Sequence, residues 1–318
     1  MNKKQLINIL KIVVSIGLLA FIFSNLDLKL LLNVIRQANP WWLLAALCTV
    51  LLGVFWRSLR WHILLNAIGV RVPVLELTAI YFIGFLFNNL LPSGLGGDAI
   101  RMMELNRHSE HASDAVTSVL VDRMIGLYGL QTLAIVALLL DWGSVPVVVA
   151  YVTVLFFAGG LTIGFLLINR PLYRWLREHI GLFRWATDIK FVGSLFNSFQ
   201  SYPLPAIGRA YLVSLVFNVG LILTNLFIGL ALGAGAKLTH YAVFIPITSM
   251  VLLIPISFAG LGVREETYRQ LFGQVGVPAE VAVSMSLLYY VFGNICTGII
   301  GGIIYLTRST REIVSERS

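Results

Sequence analysis

Ionisable side chains are sparse in this chain, and the most suggestive of them follow two proline- and glycine-rich breaks. The first break, NNLLPSGLGGDAIRMMEL (88–105), brings together Asn88, Asn89, Ser93, Gly94, Gly96, Gly97, Asp98, Arg101 and Glu104. Asp98, Arg101 and Glu104 recur every third residue, so on a helix they drift slowly around one face. Asp122 and Arg123 lie inside the next long apolar run. The second break, LIPISFAGLGVREETY (253–268), supplies Ser257, Gly260, Gly262, Arg264 and Glu265, with Glu266 beside them. This chemistry is that of an anion site. Guanidinium matches phosphate geometry and stays charged, so Arg101, Arg123 and Arg264 would clamp a phosphate. Backbone amides of the glycine turns, and the N-termini of the helices returning from them, would cradle the same group. Asp98 and Glu265 would pair with the arginines in an empty site or carry a coupling proton. A plainer reading uses the same residues: Asp98 caps a helix and the arginines pair internally to lock the turns. Asn88, Asn89, Ser93 and Ser257 would hydrogen-bond either the turn or a ligand.

The elements around these residues are apolar. Of 318 residues, 58% are hydrophobic and 12% charged, and the mean hydropathy is +0.86. Soluble domains carry about twice that charge. Runs long enough to cross a bilayer as helices recur along the chain, and the alternating strands of a membrane barrel are absent from it. Eight apolar segments can be drawn, at roughly 6–26, 40–60, 74–91, 114–140, 145–168, 209–232, 238–255 and 278–306. Between the first two, Leu28, Leu31, Leu32 and Ile35 share a face, which predicts a short interfacial helix followed by Trp41 and Trp42 at headgroup level. The N-terminus reads as an uncleaved first helix.

Charge sets the topology. The 169–208 connection carries Arg170, Arg174, Arg177, Arg184 and Lys190, and belongs in the cytoplasm with Lys3, Lys4, Lys11, the Arg57/Arg60 end of the second segment, and Arg308, Arg311 and Arg317. If every segment crossed, the most basic loop would fall outside. If 74–91 instead turns back at PSGLGG, every basic loop lies inside. The break then recurs: Leu91-Pro92 is echoed by Ile254-Pro255, and Gly94-Leu95-Gly96 by Gly260-Leu261-Gly262. Two similar units of opposite orientation, each with an interrupted half-segment, point to a transporter site near the midplane. The expected fold is therefore an all-α polytopic membrane protein, one domain over 1–318. It has about six spanning helices and two re-entrant helical hairpins in an inverted repeat, with repeat one at about 40–140 and repeat two at about 209–306.

Other chemistries find little support. The net charge of +8 lies beside apolar runs and comes with no recognition motif, so no nucleic acid is expected. GLGGDAIR lacks the Gly-Lys-Ser/Thr of a P-loop. His108 and His111 sit one turn apart with no further ligand in reach, so neither metal nor cofactor is expected. Cys48 and Cys296 fall in apolar runs and read as packing residues, not a disulfide. Gly298, Gly301 and Gly302 allow close helix packing within the chain.

NNLLPSGLGGDAIR, the Asp122-Arg123 pair and IPISFAGLGVREE resemble the lysylphosphatidylglycerol synthase transmembrane region, or flippase-like domain, family, over almost the whole chain. The resemblance implies a module that moves a lipid or lipid-linked intermediate between leaflets. It matches Pro92, Gly94, Gly96, Gly97, Asp98, Arg101, Asp122, Arg123, Gly260, Gly262, Arg264 and Glu265. In the best-known relatives the module precedes an aminoacyl-lipid synthase domain; the resemblance here covers the membrane module alone, and lysyl-lipid synthesis is not expected of it. Relatives often have Pro-Gly or Gly-Gly before the second Gly-Leu-Gly, where this chain has Phe258-Ala259. The expected protein is thus an inner-membrane flippase for an anionic phospholipid or polyprenyl-linked lipid, not an enzyme, with both termini cytoplasmic. Alanine at Arg101 or Arg264 would stop transport in a folded protein. Two rivals stand beside it. One is a membrane enzyme acting on a lipid phosphate with Asp98, Glu104 or Glu265 as base. The other is a non-transporting partner that anchors an envelope-lipid synthesis enzyme through 169–208.

Overall fold

A computed structural model describes residues 28–90, 96–106, 112–188, 199–254 and 256–315, with scattered positions between 13 and 26. Segment 6–26 lies largely outside the described residues, and Pro92, Ser93, Gly94, His108, His111 and Pro255 lie entirely outside them.

Among the described residues the chain is helical, without strands. Helix α1 (Leu28–Arg36) is the expected short amphipathic piece, and it buries Leu31 beside Val283. Asn39 then accepts a hydrogen bond from the Trp41 amide and starts α2 (Pro40–Ala67), with proline at its first position, where no amide partner is lost. Helices α3 (Val74–Leu90) and α4 (Gly96–Asn106) flank the first break, and α5 (Ala112–Leu140) and α6 (Val147–Ile168) follow. The 169–208 connection is not plain loop. It contains α7 (Arg170–His179) and α8 (Gly181–Asp188), joined by an Arg177–Asp188 ion pair at 2.9 Å. Then come α9 (Leu204–Ala231), α10 (Leu238–Val251), a 3-10 turn at Phe258–Gly260, and α11 (Val263–Gly273). Helices α12 (Ala279–Tyr290) and α13 (Thr297–Ser315) are joined by a π-helical turn at Val291–Cys296.

Among the described residues, five helices are long and apolar enough to cross a membrane: Pro40–Ala67, Ala115–Leu140, Val147–Leu166, Leu204–Ala231 and Ala279–Arg308. At about 1.5 Å per residue the 28-residue helices α2 and α9 reach ~42 Å. The apolar helices α3 and α10, with 17 and 14 residues, reach only ~25 and ~21 Å, short of a hydrocarbon core of about 30 Å. Helix α6 exposes Val148, Tyr151, Phe156 and Leu161 around its circumference, as a helix does that faces lipid.

Two corrections concern α2. It runs on past residue 60, so Arg57 and Arg60 lie inside the helix rather than at its end, and Arg60 is buried. Cys48 is exposed on its outer surface instead of packed, although both cysteines are free as expected.

The long helices pair in a regular way. The Asn39 amide donates to the Ala231 carbonyl (2.9 Å), the hydroxyls of Thr49 and Thr224 meet at 2.8 Å, and Arg60 donates to Ser214 (3.1 Å). Residue numbers rise along α2 as they fall along α9, so the two run antiparallel. Helix α3 runs antiparallel to the last helix in the same sense. Glu76 pairs with Arg308 at 2.8 Å, the rings of Phe87 and Tyr305 meet at 5.7 Å, and Asn89 donates to the Asn294 carbonyl at 2.7 Å. The second short helix, α10, packs in turn on α5. Each short helix thus rests on the long closing helix of the other half.

Glycines make the first of these contacts possible. A Cβ at Gly301 would overlap the Phe82 carbonyl, and one at Gly298 would come within 2.5 Å of the Asn89 amide nitrogen. A Cβ at Gly302 would sit at an ordinary 3.7 Å from Leu86. The close packing expected of this stretch is therefore carried by Gly298 and Gly301.

Candidate functional site

The two breaks bring their charges to one cavity of about 350 Å³. Its wall includes Gly97, Asp98 and Arg101 from the first unit, Ala259 and Arg264 from the second, and Asp122 and Arg123 from α5. Asn88 and Gly84 line it from α3, and Arg57 and Arg60 from α2.

The first-unit charges form one alternating chain. Asp122 accepts from Arg60 Nε (2.7 Å), the Tyr81 hydroxyl (2.7 Å) and Arg101 Nη2 (3.1 Å). Arg101 Nη1 donates to Asp98 Oδ1 at 3.2 Å, and Arg123 Nη1 donates to Asp98 Oδ2 at 2.9 Å. The order Arg60–Asp122–Arg101–Asp98–Arg123 is what buried charges require, since an unpaired ion at depth costs several kcal/mol. The guanidinium of Arg101 also lies over the Trp61 and Tyr81 rings, 4.2 and 3.9 Å from their centroids, and is attracted by their electron-rich faces. Its Nε is buried with no hydrogen-bond partner among the described residues. Arg123, at the end of the chain, is the most open member, with 40% of its side chain exposed.

The second unit repeats the theme in miniature. Glu265 is wholly buried and accepts from Arg264 Nη2 (2.9 Å), the Ser286 hydroxyl (2.9 Å) and the Gly262 amide (2.6 Å). Arg264 also donates from Nε to Ser286 (3.1 Å) and stacks 4.5 Å from the Tyr290 ring centroid.

The turns are built by backbone shape. Gly97 lies where the arms of the first hairpin touch: a Cβ there would come 2.5 Å from the Gly84 carbonyl. The Gly97 amide donates to Asn88 Oδ1 at 2.7 Å. In the second turn Gly260 and Gly262 have φ of 76° and 83°, and Ala259 has φ of 49°, a left-handed conformation that an L side chain adopts at a cost.

The sequence-predicted residues therefore divide. Asp98, Arg101, Asp122, Arg123, Arg264, Gly97 and Asn88 line the cavity. Glu265 stands behind Arg264. Asn88 and Asn89 serve the scaffold, one holding the returning helix and the other a carbonyl of the π-helical turn. The amides of Gly97 and Gly262 are engaged by side chains of the protein, so at those two positions the expected cradle is filled from within. Gly96, Glu104, Ser257, Gly260 and Gly262 are near the turns but outside the cavity wall. Ser93 and Gly94 lie outside the described residues.

Sequence reading missed Arg57, Arg60, Tyr81 and Asn294. By sequence position Arg57 and Arg60 read as flanking charges. The apolar residues that continue to Ala67 were the signal that the helix carries them inside. Arg57 is held over the rings of Phe217 (4.4 Å) and Phe85 (5.8 Å). It also lines a second, adjoining cavity of about 150 Å³ together with Thr49, Gly53, Thr224 and Thr297.

A chain whose described residues are helical, with five long apolar helices among them and arginine–carboxylate pairs facing one cavity, is a polytopic membrane protein with a polar chamber. It belongs to the lysylphosphatidylglycerol synthase TM region family, whose profile matches residues 8–301. Among its relatives is a UPF0104 membrane protein of Pyrococcus horikoshii, 23% identical over 96% of this chain and 98% of that one. A UPF0104 membrane protein of Archaeoglobus fulgidus is 29% identical over 116 residues, 36% of this chain and 35% of that protein.

Proposed function

We propose that this protein is a flippase, which moves an anionic phospholipid or polyprenyl-linked lipid between the leaflets of the cytoplasmic membrane. The observation that carries the reading is the chamber itself: five arginines, from both halves of the chain, line one cavity among apolar helices. A fold needs no such cluster for stability, because apolar side chains of similar volume would pack there at lower cost. At about 30 Å³ per water, a cavity of about 350 Å³ holds a phosphate headgroup with some water. It does not hold a two-tailed lipid, so the chains would remain in the bilayer while the headgroup crosses.

In this reading α3–α4 and α10–α11 are re-entrant hairpins entering from opposite faces, and the chain has six spanning helices with both termini cytoplasmic. The two halves are an inverted repeat. Antiparallel pairing of α2 with α9, and the exchange of short helices between halves, support that symmetry. An enzyme acting on lipid phosphate is the weaker reading, because Asp98 and Glu265 are both held by arginine and Glu104 lies outside the cavity wall.

The test is transbilayer movement of a fluorescent anionic lipid in liposomes containing the purified protein. Arg101→Ala should abolish movement while the protein stays folded, since Asp122 keeps Arg60 and Tyr81. Undiminished movement by a folded Arg101→Ala variant would remove the chamber from the mechanism.

A further inference from the structure

The charges of the chamber do not cancel. Its described wall carries Arg57, Arg60, Arg101, Arg123 and Arg264 against Asp98 and Asp122. Glu265, behind Arg264, adds a third carboxylate. The neighbouring turn residues outside the description, 91–95 and Pro255, have no ionisable side chains. Five guanidinium groups against three carboxylates leave two positive charges. Guanidinium does not deprotonate to relieve such an excess, and at membrane depth an excess left uncompensated is costly.

The excess also has a location. Arg60, Arg101, Arg123 and Arg264 each donate to a carboxylate. Arg57 makes no ion pair among the described residues. Its guanidinium is positioned by the ring faces of Phe217 and Phe85, and it stands where the chamber and the smaller cavity share a wall. Ring faces orient a cation without neutralising it.

We infer that the chamber selects a lipid phosphate monoester, which carries two negative charges, over phosphodiester headgroups, which carry one at the phosphate, and that Arg57 sets the preference. A monoester with its second pKa near 6 is almost fully dianionic at pH 8 and would neutralise the chamber. A phosphodiester would leave one positive charge unmatched. The inference rests on the anionic-lipid reading above and narrows it to one headgroup class.

The experiment is calorimetric titration at pH 8 of the full-length protein in phosphatidylcholine nanodiscs with three probes: dihexanoyl phosphatidate, dihexanoyl phosphatidylmethanol and inorganic phosphate. The wild type should bind phosphatidate at least about tenfold more tightly than phosphatidylmethanol. Arg57→Gln should shrink that gap to about twofold or less, and Arg57→Lys should preserve it. Equal affinity of the wild type for the two lipids would overturn the charge match while leaving an anionic-lipid site in place. A gap that persists in Arg57→Gln would overturn the role of Arg57. Inorganic phosphate binding as tightly as phosphatidate would uphold the charge match and remove the lipid reading instead. Absence of binding by all three would remove both. Should Arg57→Gln fail to fold, the wild-type comparison alone decides the charge match.

Discussion

At the scale of single residues, the pairing pattern separates arginines that can be removed from those that cannot. Asp122 has three donors and survives the loss of Arg101. Glu265 has one guanidinium, and the sequence expectation that Arg264→Ala leaves a folded protein overlooks what that substitution strands. A wholly buried carboxylate would lose the one cation that pairs with it among the described residues, at a cost of about 3–5 kcal/mol. Arg264→Ala should therefore lower the melting temperature sharply, and Arg264→Ala with Glu265→Gln should recover much of the loss. A melting temperature unchanged by the single substitution would show that the pair does not form. The second turn gives an opposite case. Ala259 at φ 49° pays about 1 kcal/mol for its side chain, so Ala259→Gly should be neutral to stabilising in thermal melts, and a clear loss would contradict the left-handed turn. Asp98, Arg101, Asp122, Arg123 and Arg264 were legible in the sequence because charge is conspicuous in an apolar chain. Arg57 and Arg60 were equally visible but misplaced, because a charge near the end of an apolar run looks the same whether the helix stops or continues.

At the scale of elements, the breaks did most to organise the fold. Proline and glycine after a half-length apolar run predicted short apolar helices before each break, and among the described residues α3 and α10 are shorter than the long apolar helices. The π-helical turn at 291–296 had no sequence signal. It arises where the closing helix meets α3, and its Asn294 carbonyl is taken up by Asn89. The same contact makes a sharp test of helix packing. Gly301→Ala should destabilise by about 1–3 kcal/mol, because its Cβ meets rigid backbone at Phe82. Gly302→Ala, one residue on and in open contact with Leu86, should be close to neutral in the same melting assay. Equal effects would mean that α3 and α13 do not approach as described.

At the scale of the molecule, the proposed site draws on two units of opposite orientation, with Gly97 and Arg101 from the first and Ala259 and Arg264 from the second in the chamber wall. Composition and charge parity predict this arrangement from the sequence alone. They did not reach the reciprocal packing of short helices on long ones, which depends on contacts far apart in the chain. The most direct measurement is the sidedness of Arg71→Cys and Lys237→Cys, each in a background with Cys48 and Cys296 replaced. These residues are exposed and follow α2 and α9, the helices that run antiparallel. With an impermeant thiol reagent on intact bacterial cells, Lys237→Cys should label at once and Arg71→Cys only after the membrane is opened. Labelling of both from the same side would make the two units parallel and contradict the shared, inverted site.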